Sequence, residues 1–164
     1  MKSTLRRLDT VHAALKSTVN GVDPALLSRR PAENEWSVAE VIEHLCLVEG
    51  AVMKGIKAKL AQPPVKVSVL KRFFPMRIVS LRIKRLQAPK YVQPATELPS
   101  IDELFEKFDA QRAKTKEICN TEGPERLRQV CLKHPYFGDM DGAAAVSMVA
   151  FHEQRHLKQI RETI

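Results

Sequence analysis

The sequence predicts an all-α protein: a four-helix bundle, one domain over residues 1–164, with a basic insertion between the second and third long helices. Three observations carry the prediction. Four segments place apolar residues three and four positions apart, the spacing that gathers them on one side of a helix. Two of these segments open with the same signature, Ser37 with Glu40 and Ser100 with Glu103. In that capping box the serine and the glutamate each satisfy a backbone N–H that the first turn leaves unpaired. Asn20-Gly21, Pro63-Pro64 and Gly123-Pro124 then separate the segments, since neither residue type continues a helix readily. At 164 residues the chain is long enough for a single sizeable core.

The first helix is expected from about Ser3 to Val19, with Leu5, Leu8, His12, Leu15 and Val19 as its apolar stripe. His12 reads as a boundary histidine, because Val11 competes for the same face, or as a fourth ligand of a metal site. Asp23-Pro24 starts a short turn or helix through Arg30, and Pro31 to Glu35 is a loop.

The second long helix begins after Ser37, with Trp36 and Val41 placed as a hydrophobic staple. Its apolar face runs through Val41, Leu45, Val48, Val52 and Ile56. His44 falls on that face, and an imidazole among Val and Leu needs a polar partner. A carboxylate such as Glu40, one turn earlier, or a metal ion would supply one. Cys46 lies about 200° round the helix from His44 and is not expected to share an ion with it.

Pro63-Pro64 ends this helix. Val67 to Leu70 reads as a short strand and Met76 to Leu86 as a short amphipathic helix, followed by an extended connection through Pro89, Pro94 and Pro99. From Gly50 to Thr96 there are eleven Lys or Arg and no Asp or Glu, whereas the rest of the chain holds sixteen basic against nineteen acidic residues. The net charge of +8 therefore belongs to one segment. Such a run attracts nucleic acid or an anionic membrane surface, or is a solvated insertion whose apolar residues cover the bundle or a dimer seam.

The third long helix starts at the Ser100 cap and buries Ile101, Leu104, Phe105, Phe108, Thr115, Ile118 and Cys119. It is expected to stop near Asn120, with Gly123-Pro124 opening a further connection. His134-Pro135-Tyr136-Phe137-Gly138 is turn-like, and Asp139 or Asp141 caps a last helix running to the C-terminus. On that helix Ala145, Val149, His152, His156, Ile160 and Ile164 share a face. Two histidines one turn apart can aim both imidazoles at one ion from a rigid support. In a bundle such sites use inward side chains of neighbouring helices, which is where His44 would join His152 and His156. The alternative is a histidine pair packed at a core edge.

Other classes are excluded on composition. No apolar run approaches the roughly 20 residues that span a bilayer. The charged N-terminus lacks the apolar stretch of a secretory signal. Cys46, Cys119 and Cys131 form no C-x-x-C pair, which fits a cytoplasmic protein with free thiols. His152-Glu153-Gln154-Arg155-His156 also fits H-E-x-x-H literally, the zinc-protease pattern with a glutamate base. A protease is disfavoured because the usual third ligand lies downstream, only eight residues remain after His156, and no clear edge strand could hold a peptide.

A different resemblance is closer. Trp36-Ser37-Val38-Ala39-Glu40-Val41-Ile42-Glu43-His44-Leu45 is similar to the second-helix signature of the DinB-like superfamily. His134 to Gly138, followed by His152-Glu153-Gln154-Arg155-His156-Leu157-Lys158-Gln159-Ile160, resembles that family's C-terminal signature. The resemblance spans nearly the whole chain in order and is weakest between Pro63 and Pro94. It implies a four-helix bundle, frequently a homodimer, with a divalent metal, often zinc or nickel, on three histidines that fall here on His44, His152 and His156. The implied activities are metal-dependent hydrolysis or transfer of a low-molecular-weight thiol (glutathione or bacillithiol type) to a small-molecule electrophile. Three neutral histidines leave a coordination position open, as in catalytic sites. Water there falls to a pKa of about 7 on zinc, and a thiol ionises more readily still. Glu153, about 100° round the helix from His152, is the candidate general base, the alternative being a solvated glutamate paired with Arg or Lys. The competing reading is a non-catalytic binding protein that uses the basic 50–96 segment.

Overall fold

The computed structural model describes residues 1–65 and 87–164. Four long helices dominate: α1 (Lys2–Val19), α3 (Val38–Leu60), α4 (Ile101–Leu127) and α5 (Gly142–Thr163). The short α2 (Pro24–Ser28), a 3-10 turn at Lys90–Val92 and a hairpin of β1 (Cys131–His134) and β2 (Gly138–Asp141) complete the described elements. The predicted four-helix bundle is therefore the fold. The expected strand at Val67–Leu70, the helix at Met76–Leu86 and seven of the eleven basic residues of the 50–96 segment lie outside the described residues.

Local chemistry accounts for the helix ends. Both capping boxes form, at Ser37 with Glu40 and at Ser100 with Glu103. Asp23 caps α2 through Ala25, and Asp141 caps α5 through the N–H of Ala144. The Asp23-Pro24 and Asp141 assignments follow the sequence. The third long helix does not stop at Asn120. It continues to Gly123, whose φ of 70° breaks it, and a further turn then starts at Pro124. Proline suits a first helical turn because its missing N–H would be unpaired there in any case.

The expected turn around His134 is the tip of an antiparallel hairpin, with Cys131 opposite Asp141 and His134 opposite Gly138. Gly138 has a φ of 68° after the three loop residues Pro135, Tyr136 and Phe137. That conformation is cheapest for glycine and common in three-residue hairpin loops.

Helix direction follows from which residues meet. Leu5 and Leu8 pack in one apolar cluster with Ala145 to Phe151, whereas Val11, Leu15 and Val19 share a second with Leu157 and Ile160. So α1 and α5 run the same way. Met53 and Ile56 join the first cluster and Val41 and Leu45 the second, so α3 runs against both. Cys119 and Leu127 belong to the first cluster and Leu104 to Phe108 to the second, which makes α4 parallel to α3. A 23-residue helix is about 34 Å long, and parallel neighbours need a connection that returns over that length. The stretch between Leu60 and Ile101 provides it.

The buried line of α3 is Ile42, Leu45, Glu49, Met53 and Ile56, while Val48 and Val52, assigned to that face from spacing, are only partly buried. No helix of the described residues is long and apolar enough to cross a membrane.

Candidate metal centre

His44 on α3 and His152 and His156 on α5 come together as the spacing predicted. One nitrogen of each ring lies within 4.8 Å of the others. The ring centroids of His44 stand 5.2 Å from both partners, and those of His152 and His156 are 4.6 Å apart. The Nε2 atoms of His152 and His156 are 3.3 Å apart. Two nitrogens at about 2.1 Å from one ion at a tetrahedral angle would be roughly 3.4 Å apart.

The outer nitrogens fix which ring atoms face inward. Nδ1 of His44 donates to the carbonyl of Val92 at 2.6 Å, and Nδ1 of His156 donates to Oε1 of Gln159 at 2.9 Å. Protons held at Nδ1 leave the Nε2 lone pairs directed at the centre, the usual tautomer choice at metal sites. Nδ1 of His152 is buried without a hydrogen-bond partner. The donor set and the Nε2 spacing fit a divalent cation.

The electrostatics favour neutral rings. Burial pushes the His44 pKa below its ordinary value, against the hydrogen bond to Val92. Burial, followed by the proximity of His156 and His44, pushes His152 well below it. Neutral imidazole is the form that ligates metal. The indole of Trp36 lies 4.8 Å from the His44 ring and shields one side of it.

Not every sequence candidate joins this cluster. His12 is buried on α1, but its Nε2 meets Oδ1 of Asp109 at 2.7 Å, and it is not among the three converging histidines. His134 sits on β1, where its Nδ1 accepts from the backbone N–H groups of Tyr136 and Phe137. Glu40 serves its capping box and pairs with Arg30, so the His44 partner is a backbone carbonyl and not this carboxylate.

Glu153 is 1% exposed. Its Oε2 accepts from Arg112 Nη2 at 2.8 Å, and its Oε1 lies 3.4 Å from His12 Nδ1. The solvated alternative is thereby excluded, and the carboxylate is engaged by α4 and α1. Arg112 in turn forks onto Glu49, with Nε 3.0 Å from Oε1 and Nη2 2.9 Å from Oε2.

Sequence reasoning missed Val92, Gln159, Glu49 and Arg112. A backbone carbonyl leaves no residue-type signal. Gln159, three residues after His156 on one helix face, was readable. So were Glu49 and Arg112, each a charge set at helical spacing in an apolar stripe: Leu45, Glu49, Met53 and Phe108, Arg112, Thr115.

The comparisons with known proteins agree with this architecture. The family model of the DinB superfamily matches residues 7–160. Protein YuaE of Bacillus subtilis (strain 168) is 26% identical over 144 residues, covering 88% of this chain and 86% of that protein. The four-helix bundle protein TT2238 superimposes with a TM-score of 0.66 at 23% identity, over 98% of each chain. YfiT from Bacillus subtilis, described as a probable metal-dependent hydrolase with an unusual four-helix bundle topology, gives a TM-score of 0.66 at 16% identity, over 99% of this chain and 84% of that one.

Proposed function

The chain belongs to the DinB superfamily, and we propose that it is a metal-dependent enzyme acting on a small molecule, with His44, His152 and His156 as ligands of a zinc or nickel ion. The convergence of three imidazoles whose outer nitrogens are anchored at Val92 and Gln159 carries this reading. Three neutral histidines leave room for a further ligand, the arrangement of catalytic rather than structural sites. A divalent ion held there supplies Lewis acidity, able to polarise a carbonyl or acidify a water or thiol that reaches it.

The protein's own residues do the rest. Val92 and Gln159 orient two of the rings, and Trp36 limits water on the flank of His44. Two reactions suit such a site: hydrolysis, the activity named for YfiT, and transfer of a low-molecular-weight thiol to an electrophile. Free Cys46, Cys119 and Cys131 favour a reducing compartment such as the cytoplasm.

The test is turnover by metal-loaded protein on two panels, activated esters and amides for hydrolysis and electrophiles with glutathione or bacillithiol for transfer. Activity on one panel that disappears in His44→Ala supports the proposal. Absence of turnover on both, or activity that survives His44→Ala, contradicts it.

A further inference from the structure

Each long helix places one ionisable side chain at the same level of the core: His12 on α1, Glu49 on α3, Arg112 on α4 and Glu153 on α5, all buried. This layer separates the two apolar clusters, since Leu8, Met53, Cys119 and Phe151 lie on one side and Leu15, Leu45, Phe108 and Leu157 on the other. Arg112 bridges its two carboxylates, reaching Glu49 with Nε and Nη2 and Glu153 with Nη2. Phe108 backs the layer, with its ring 5.4 Å from the Arg112 guanidinium and edge-on to His12 at 4.6 Å.

Stability does not explain this layer. Buried ion networks are often no more stable than apolar side chains of the same volume, because every charge is desolvated. What the network supplies is direction. A guanidinium fork binds carboxylates in one plane and one register, whereas apolar side chains accept small slides and rotations. The two carboxylates stand on the two helices that carry the candidate ligands. Glu49 follows His44 by five residues, and Glu153 lies between His152 and His156.

We infer that the Glu49–Arg112–Glu153 clamp, flanked by His12, is a positioning device that sets α3 against α5 so that the three Nε2 atoms converge. This rests on the metal-binding reading above. It makes Glu153 a positioning residue, acting through Arg112 and the helix register, and not a group that touches substrate.

The experiment adds zinc(II) or cobalt(II) chloride to the chelator-stripped full chain. It measures affinity by competition with a chromophoric chelator and records the cobalt absorption spectrum. The key variant is the apolar replacement Glu49→Leu/Arg112→Met/Glu153→Leu, compared with wild type. The variant is expected to unfold cooperatively with a wild-type or higher Tm, to bind zinc about 10–100-fold more weakly, and to show a shifted cobalt spectrum. A folded variant with wild-type affinity and spectrum overturns the inference. If the triple variant does not fold, Glu49→Gln decides on the same two readouts: weaker binding with a shifted spectrum supports the clamp, and no change overturns it. Wild type that binds neither ion refutes the metal reading and the clamp with it, whereas wild-type binding with insensitive variants refutes the clamp alone.

Discussion

Acid should destabilise the metal-free protein well before its carboxylates titrate. His44 is 3% exposed and His152 has a fully buried Nδ1, and burial lowers the pKa of both rings. In the unfolded chain the same rings titrate near 6.5. Below that pH the unfolded state therefore binds more protons than the folded one, so stability rises with pH across this window and falls on acidification. A proton reaching His44 must go to Nε2, because Nδ1 already donates to Val92, and Nε2 faces two other imidazoles. Each ring that stays neutral in the fold costs at most about 1.4 kcal/mol per pH unit below 6.5. The pair together costs up to about 3 kcal/mol per unit, a large fraction of the roughly 5–15 kcal/mol that holds a domain folded. The paired carboxylates Glu40 and Asp109 have pKa values pushed down, so their contribution is lost only on further acidification, below about pH 4. Urea unfolding of chelator-treated protein between about pH 7 and about pH 5 isolates the histidines. Stability should fall steeply in wild type and much less in His44→Gln/His152→Gln. Equal stability at both ends, or an undiminished slope in the double variant, would refute the reasoning.

Three further outcomes follow from single sites. Ser37→Ala removes the side chain that accepts the Glu40 N–H and should cost about 1 kcal/mol in urea unfolding. Gly142→Ala would put a Cβ 2.8 Å from the Leu127 carbonyl oxygen, an overpacked contact between the ends of α4 and α5 that should cost about 1–3 kcal/mol and lower Tm. Burial pushes the thiols of Cys46 and Cys119 up to about 11, so a disulfide reagent near pH 8 should modify both far more slowly in native than in urea-unfolded protein.

What the sequence disclosed was local or periodic. The capping boxes at Ser37 and Ser100 act over three residues, and His152 with His156 over four, so neither depends on the rest of the fold. His44 was legible as a polar group in an apolar stripe. Glu49 and Arg112 were readable as charges in apolar stripes, but their pairing was not, because its bonds join positions 63 and 41 residues apart. The hairpin was overlooked because β1 and β2 are four residues each, too short for a clear alternation. The role of Val92 depends on its carbonyl, which every residue carries.

The most direct test is elemental analysis of protein purified without an affinity tag, alongside His44→Ala and His152→Ala/His156→Ala. The account predicts close to one divalent ion per chain in wild type and little or none in either variant, with all three proteins folded. Wild type that is folded but takes up no ion under any loading condition, or variants that retain it, would contradict the three-histidine centre.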